Sequence, residues 1–243
     1  MAFNFSLNGV SGLTGFYSDF ANIKSGTYKK LLNAYYSKVQ GSQTSEKVSS
    51  LNKDSVAVKN EKNALKAVKA NADSLGISAS NLVEKGAKSV FNKKKVESVN
   101  EETGEKTTSM EYDKEKISSA VKQFVSDYNA VIEKSADTDS TKVMSKTLNM
   151  IDNTAIYKDS LSKIGISIGS DNKLTVDEEK FAAADMTSVK SLFNDANSFG
   201  QRTMQKALQI SSEANRDMLS ASLYTSKASY QNYDYTSLLN MYL

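Results

Sequence analysis

Cysteine, histidine, proline and tryptophan are all absent from this 243-residue sequence. Without cysteine there is no disulfide framework and no thiol chemistry, and without histidine the commonest general base and the commonest metal ligand are both missing. A serine triad, a cysteine dyad and a structural zinc site are therefore excluded in their usual forms. An average chain of this length would carry roughly 12 prolines at ~5% usage, so long helices can run here without that interruption. Apolar runs are short as well. None approaches the ~20 residues that cross a bilayer, which predicts no membrane insertion. The 31 basic and 28 acidic residues leave a formal charge of +3. They alternate along the chain, the pattern of a solvated surface and not of a nucleic-acid footprint. Residues 1–16 lack a basic start followed by an apolar stretch, so any export is expected to bypass an ordinary cleaved signal. No Walker loop and no GxGxxG spacing appears, and no cofactor or small-molecule substrate is expected. With the usual catalytic residue types missing, the chain is read as a non-enzyme.

What remains is 39% hydrophobic, with 12 tyrosines against 9 phenylalanines. That composition predicts a thin core in one elongated or two small domains. Residues 1–15, rich in Gly, Ser and Asn, are expected to be mobile or to order only on a partner. Phe16, Phe20 and Ile23 fall at helical spacing, and Tyr28, Leu31, Leu32, Tyr35, Tyr36 and Val39 then share one helical side. Residues 1–41 thus read as a flexible segment with short helices. After a polar break at 42–50, Leu51, Val58, Leu65 and Ala72 recur at sevens, with Val68 and Leu75 beside them, a helix that packs along another helix. Gly76 is expected to end it. A shorter helix through Ala79, Leu82, Val83, Ala87, Val90 and Phe91 would follow, with Lys93, Lys94 and Lys95 at its negative pole. Residues 96–112 predict a hairpin turning near Thr103 and Gly104. Residues 111–134 hold the strongest helix, with Ile117, Val121, Phe124, Tyr128 and Val131 stepping by fours and threes. Asp137 and Asp139 resemble the start of a calcium loop, but Lys142 stands where the loop needs glycine and no glutamate closes the ligand set. A further helix carries Val143, Met144, Leu148 and Ile151.

The best punctuated stretch is 161–193, LSKIGISIGSDNKLTVDEEKFAAADMTSVKSLF. Leu161 and Ile164 end a helical pattern, Gly165 stops it, and Ile166 and Ile168 alternate with Ser167 as a half-buried strand does. Gly169, Ser170, Asp171 and Asn172 suit a turn, Leu174 and Val176 resume the alternation, and Asp177 caps a helix that buries Phe181. Glu178 and Glu179 suit the positive helix end. A second cap is expected at Thr187, ahead of Val189, Leu192 and Phe193. Residues 194–200 read as a loop, followed by one helix to about residue 233 with Ala207, Ala214, Ala221 and Ala228 at sevens. An alanine seam lets helices approach closely but buries little area at each position. It is proposed as a helix-packing or assembly face, within the chain or between subunits. Leu238, Leu239, Met241, Tyr242 and Leu243 close the sequence with an apolar patch. The expected fold is mainly α, an elongated bundle or coiled-coil-like rod with one or two small β-hairpins. Its expected parts are 1–41, a helical domain at 42–193 with hairpins near 96–112 and 165–176, and a helix with an apolar tail at 194–243.

The motif formed by Leu161, Ile164, Gly165, Ile166, Asp171, Asn172, Lys173, Leu174, Asp177, Glu178, Lys180 and Phe181, ending in Val189, Leu192 and Phe193, resembles the C-terminal helical region of the bacterial flagellar hook-associated filament-capping proteins. There it takes the form LxxIGI, DGKL, DExK, VxxLF, and Asn172 stands in place of the usual glycine. The upstream VKQFVSDYNAVIEK resembles that family's LxxFVxxYN helix, so the likeness covers roughly 117–193. It implies a rod of helices with a small β element and no catalytic centre. It further implies export unfolded through the flagellar channel, and self-association or assembly with flagellar axial proteins at the filament tip. The alternative is a cytoplasmic or cell-surface helical adaptor outside the flagellum that retains the same module.

Overall fold

The computed structural model describes residues 27–41, 54–99 and 106–223. The expectations for 1–26, Leu51, the turn at Thr103 and Gly104, Ala228 and the apolar tail lie outside those residues. The chain is mainly helical with two small two-stranded antiparallel sheets. In order it forms α1 (Thr27–Gly41), α2 (Asp54–Val83), β1 (Lys93–Val99), β2 (Lys106–Tyr112), α3 (Lys114–Ser135), α4 (Thr141–Ala155) and α5 (Lys158–Lys163). Then come β3 (Ile166–Ile168), β4 (Leu174–Val176), α6 (Glu178–Ala183), α7 (Met186–Asn194) and α8 (Phe199–Leu223). At 1.5 Å per residue the 30-residue α2 is about 45 Å long.

Helices α2, α3, α4 and α8 close a ring, each packed on the next, with α2 against α8 the longest contact and α1 laid over α3 and α4. The strong period of α3 explains its place, since Ile117, Val121, Phe124, Tyr128, Val131 and Ile132 are all completely buried. The seven-residue track of α2 is buried at Leu65, Val68, Ala72 and Leu75, but Val58, nearer its start, is exposed. On α1, Tyr28, Leu31 and Leu32 enter the core, Tyr35 and Tyr36 pack at its margin, and Val39 points to solvent. Ala207 and Ala214 are buried in the same core as the α2 residues, so this part of the alanine seam packs helices within the chain. Ala221 continues α8 as its third member. Phe193 and Phe199 touch across the expected boundary near 194, and one core runs through it.

Several expected boundaries move. Gly76 does not end its helix; α2 runs through it to Val83, because a Cβ at Gly76 would meet only the tip of Leu208 and the apolar face continues through Ala79 and Leu82. The separate helix expected at 79–91 is therefore the end of α2, a short 3-10 turn at Gly86–Lys88 and a bend that buries Phe91. Lys93, Lys94 and Lys95 begin β1 and do not sit at a helix end. The helix expected from 111 starts at Lys114, capped by Asp113, since Glu111 and Tyr112 are the last pairs of the β1–β2 ribbon.

Polar contacts across the helix pairs fix how they slide. Asp73 on α2 takes a 2.5 Å hydrogen bond from Ser211 on α8 and pairs with Lys69 at 2.6 Å. Partial burial resists its ionisation, but those two partners outweigh it and hold the carboxyl below its ordinary range. Glu61 receives the Thr138 hydroxyl at 2.5 Å and the Asp139 amide at 2.6 Å, and Ser140 donates to Asp217 at 2.5 Å. Asp137 and Asp139 form ion pairs with Lys30 and Lys38 of α1, so both acids are engaged in holding that helix.

Candidate functional site

The stretch 161–193 folds as the expected helix end, hairpin and two short helices, around one glycine. Gly165 closes α5 with φ at +80°, a left-handed conformation that glycine adopts without penalty. A Cβ there would lie 2.8 Å from the Phe181 amide nitrogen and 3.0 Å from the Asp177 carbonyl. The Gly165 carbonyl in turn accepts the Asp177 amide at 2.8 Å, so the start of the hairpin is pressed against the helix that follows it. The turn is made as the sequence implies: Asn172 takes φ of +59°, its amide gives to Gly169, and Asp171 accepts from the Lys173 amide at 3.1 Å. Asp177 then caps α6 by accepting from the Lys180 amide at 3.1 Å. That bond holds its carboxyl below the ordinary value, as the Thr187 amide does for Asp185.

Asp185, and not Thr187, is the second cap. Its two carboxylate oxygens accept from the Thr187 and Ser188 amides, because the helix starts two residues earlier than expected, at Met186, whose side chain is buried. The expected loop at 194–200 is also shorter, since Asn194 ends α7 and Gly200 lies inside α8.

Ile164, Ile166, Leu174, Phe181, Leu192 and Phe193 are all buried, and the structure gathers them on the same side as α3. Phe124 of α3 meets Phe193 at 5.4 Å and Phe199 at 5.5 Å between ring centroids, both edge to face, and Phe193 meets Phe199 at 5.8 Å. Such pairs contribute roughly 0.5–1.5 kcal/mol each beyond their burial. They tie α3, α7 and α8 at one point. Lys122 reaches Glu178 at 2.7 Å and Lys173 reaches Glu133 at 3.3 Å, bracing the same junction at its exposed rim.

Three residues that matter here were not singled out from sequence. Asn129 on α3 accepts the Leu174 amide at 2.8 Å and donates to the Leu174 carbonyl at 2.9 Å. Leu174 stands opposite Ile168, and the hairpin bonds from Gly169 to Lys173 and from Asp177 to Gly165 fall at the flanking positions. In an antiparallel pair the bonded positions alternate, so the polar groups of Leu174 face away from β3. The carboxamide of Asn129 takes both of them, as a third strand would. Its neighbour Tyr128 donates to Thr154 at 3.0 Å inside the core, and burial raises that phenol well above its ordinary range. The Tyr-Asn pair therefore joins α3 to α4 with one side chain and to the hairpin with the next. Asn194 donates to the carbonyls of Leu82 and Glu84 at 2.8 and 2.9 Å, closing the end of α2. Gly200 allows α8 to begin hard against α7, since a Cβ would lie 2.4 Å from the Phe193 carbonyl oxygen. The sequence signal for Asn129 was present in the FVxxYN spacing; nothing local marked Asn194 or Gly200.

Chemically, the arrangement holds backbone and helix ends together. Asp177 and Asp185 are occupied as caps, Asp171 in the turn and Glu178 by Lys122, and among the described residues no group of three or more acidic side chains is placed to hold a metal ion. Among those residues the one carboxyl raised toward the neutral range is Asp152 on α4, pushed up to about 6 by half-burial against the opposing pull of Lys206. No helix among the described residues is long and apolar enough to cross a membrane. Comparison with protein-family models, with curated proteins and with solved structures finds no match to this chain.

Proposed function

We propose that the chain is a structural, self-associating axial component of the bacterial flagellum, cap-like, that assists filament assembly and has no catalytic centre. The observation that carries this reading is that the turn and cap positions of the capping-protein-like motif each have a specific mechanical task in one junction. Gly165 permits the turn, Asn172 takes the left-handed turn position, Asp177 caps, and Tyr128 and Asn129 fasten the α3 side. A motif spent on backbone geometry supports a rod or assembly role, in which the angle between helices is the working property. The absence of cysteine and proline from the sequence also favours a chain that is exported unfolded and refolds without slow isomerisation or oxidation. The second reading, a helical adaptor outside the flagellum, rests on the same junction used as a rigid joint between binding helices.

The test is genetic and biochemical. The protein is expected in the medium of a flagellated host and lost from it when the flagellar secretion apparatus is removed, with motility impaired on deletion of the gene. Retention inside the wild-type cell together with unchanged motility refutes the flagellar reading and leaves the adaptor.

A further inference from the structure

We propose that the outer edge of β2 is a self-association surface, on which two copies of this chain pair their β1–β2 ribbons into one four-stranded antiparallel sheet across a two-fold axis. This inference rests on the ribbon alone and does not depend on the flagellar reading.

The ribbon pairs seven residues from each strand, from Lys93 opposite Tyr112 to Val99 opposite Lys106. Among the described residues no third strand joins it, and of β2 only Tyr112, at its end, packs against the core. Every residue from Lys106 to Glu111 is exposed, and Met110 is 57% exposed. A two-stranded ribbon without a packed face is marginal in water, and a third or fourth strand is the usual remedy.

Charge distinguishes the two edges. Strand β1 carries Lys93, Lys94 and Lys95 against Glu97, a net +2, and edge lysines are a common device against strand addition. Strand β2 carries Lys106 against Glu111, a net charge of zero, and between them runs the neutral segment Thr107, Thr108, Ser109, Met110. Two β2 strands placed antiparallel about Ser109 are self-complementary. Thr108 faces Met110 of the second copy, Lys106 faces Tyr112, and the two Ser109 residues meet on the axis. No like charges stand opposite one another, whereas pairing β1 with itself would bring six lysines into one ribbon. Within each chain Lys93 lies over the Tyr112 ring, at 4.9 Å from its centroid. A two-fold pairing uses the same edge on both partners, so it closes and leaves only the lysine-bearing β1 edges outward.

The experiment uses the full chain. Sedimentation is expected to give a species of twice 26.6 kDa. The double variants T108K/M110K and T108E/M110E each place like charges opposite one another and are expected to sediment as this dimer no longer, while retaining wild-type helicity by circular dichroism. Mixed in equal amounts, they are expected to recover it, because each introduced lysine then faces an introduced glutamate. Since the chain has no cysteine of its own, Ser109→Cys is expected to oxidise to a covalent dimer, with Lys94→Cys on the β1 edge as a control that does not. A wild-type chain that is monomeric throughout, a dimer that survives in both charge variants, or cross-linking equal at positions 94 and 109 overturns the proposal.

Discussion

The carboxamide of Asn129 gives the most discriminating test of the junction. It makes two hydrogen bonds, one to the amide and one to the carbonyl of Leu174, a residue only 2% exposed. Removing a partner from a group that water cannot reach costs about 1–3 kcal/mol. Because the hairpin can shift slightly to admit water, Asn129→Ala is expected to destabilise the protein by about 2–4 kcal/mol in total, a large share of the roughly 5–15 kcal/mol typical of a domain. Asn129→Asp separates geometry from size. At neutral pH the carboxylate still accepts from the Leu174 amide but sets a second oxygen against the Leu174 carbonyl, so this variant is expected to be at least as unstable as the alanine. On acidification the protonated acid regains a donor, and part of the loss is expected to return. The assays are denaturant midpoints at pH 7 and pH 4, and amide exchange at Gly169 and Asp177, which report the hairpin itself. An Asn129→Asp protein as stable as wild type at pH 7, or an alanine variant within ~0.5 kcal/mol of it, would refute the strand-mimicking role.

Other substitutions probe separate parts of the same reasoning. Gly165→Ala meets both a positive φ and two backbone atoms at 3.0 Å or less, and is expected to cost about 3 kcal/mol or more, whereas Gly86→Ala, with φ +72° but open space around it, should cost only about 1; equal midpoints for the two would remove the steric argument. Phe124→Ala opens the aromatic cluster and is expected to cost about 3–5 kcal/mol by chemical denaturation. Asp152 has a folded pKa of about 6, above its ordinary 3.8, so the native state prefers it protonated. Its contribution favours folding below about pH 4 and is lost as pH rises through 6. Asp152→Asn should therefore stabilise the protein at pH 8, by about 1 kcal/mol once screening of a half-exposed group is allowed for, with the gain vanishing near pH 4; a pH-independent effect would contradict this. The caps Asp113, Asp177 and Asp185 act in the opposite sense, since their lowered values mean stabilisation present above the ordinary carboxyl range and lost as pH falls below it.

Local rules read correctly wherever one residue decides a conformation within a few neighbours. Gly165, Asn172 and Asp177 each sit where a turn or cap requires their chemistry, and the period of α3 placed Phe124 and Tyr128 in the core. The same rules failed where two signals competed. Gly76 resembled a helix stop, but the face built by Leu75, Ala79 and Leu82 was buried against α8 and carried α2 past it. Thr187 resembled a cap, yet Asp185 offers two acceptor oxygens and lets Met186 enter the core. Lysines 93–95 matched a helix end by charge, and strand pairing with residues 110–112 outweighed that.

The sequence by itself determined the mainly helical class, the places of both hairpins, the glycine-centred junction and the lack of histidine or thiol chemistry, because these depend on composition or on residues a few positions apart. Only the tertiary structure decided that α8 closes a ring with α2 and α4, and that Ala207 and Ala214 pack inside the chain. It also decided that Asn129 clasps Leu174 from 45 residues away and that Asn194 closes a helix 110 residues upstream. Those contacts join groups whose pairing leaves no local periodicity, and their energy appears only when the helices have already been brought together.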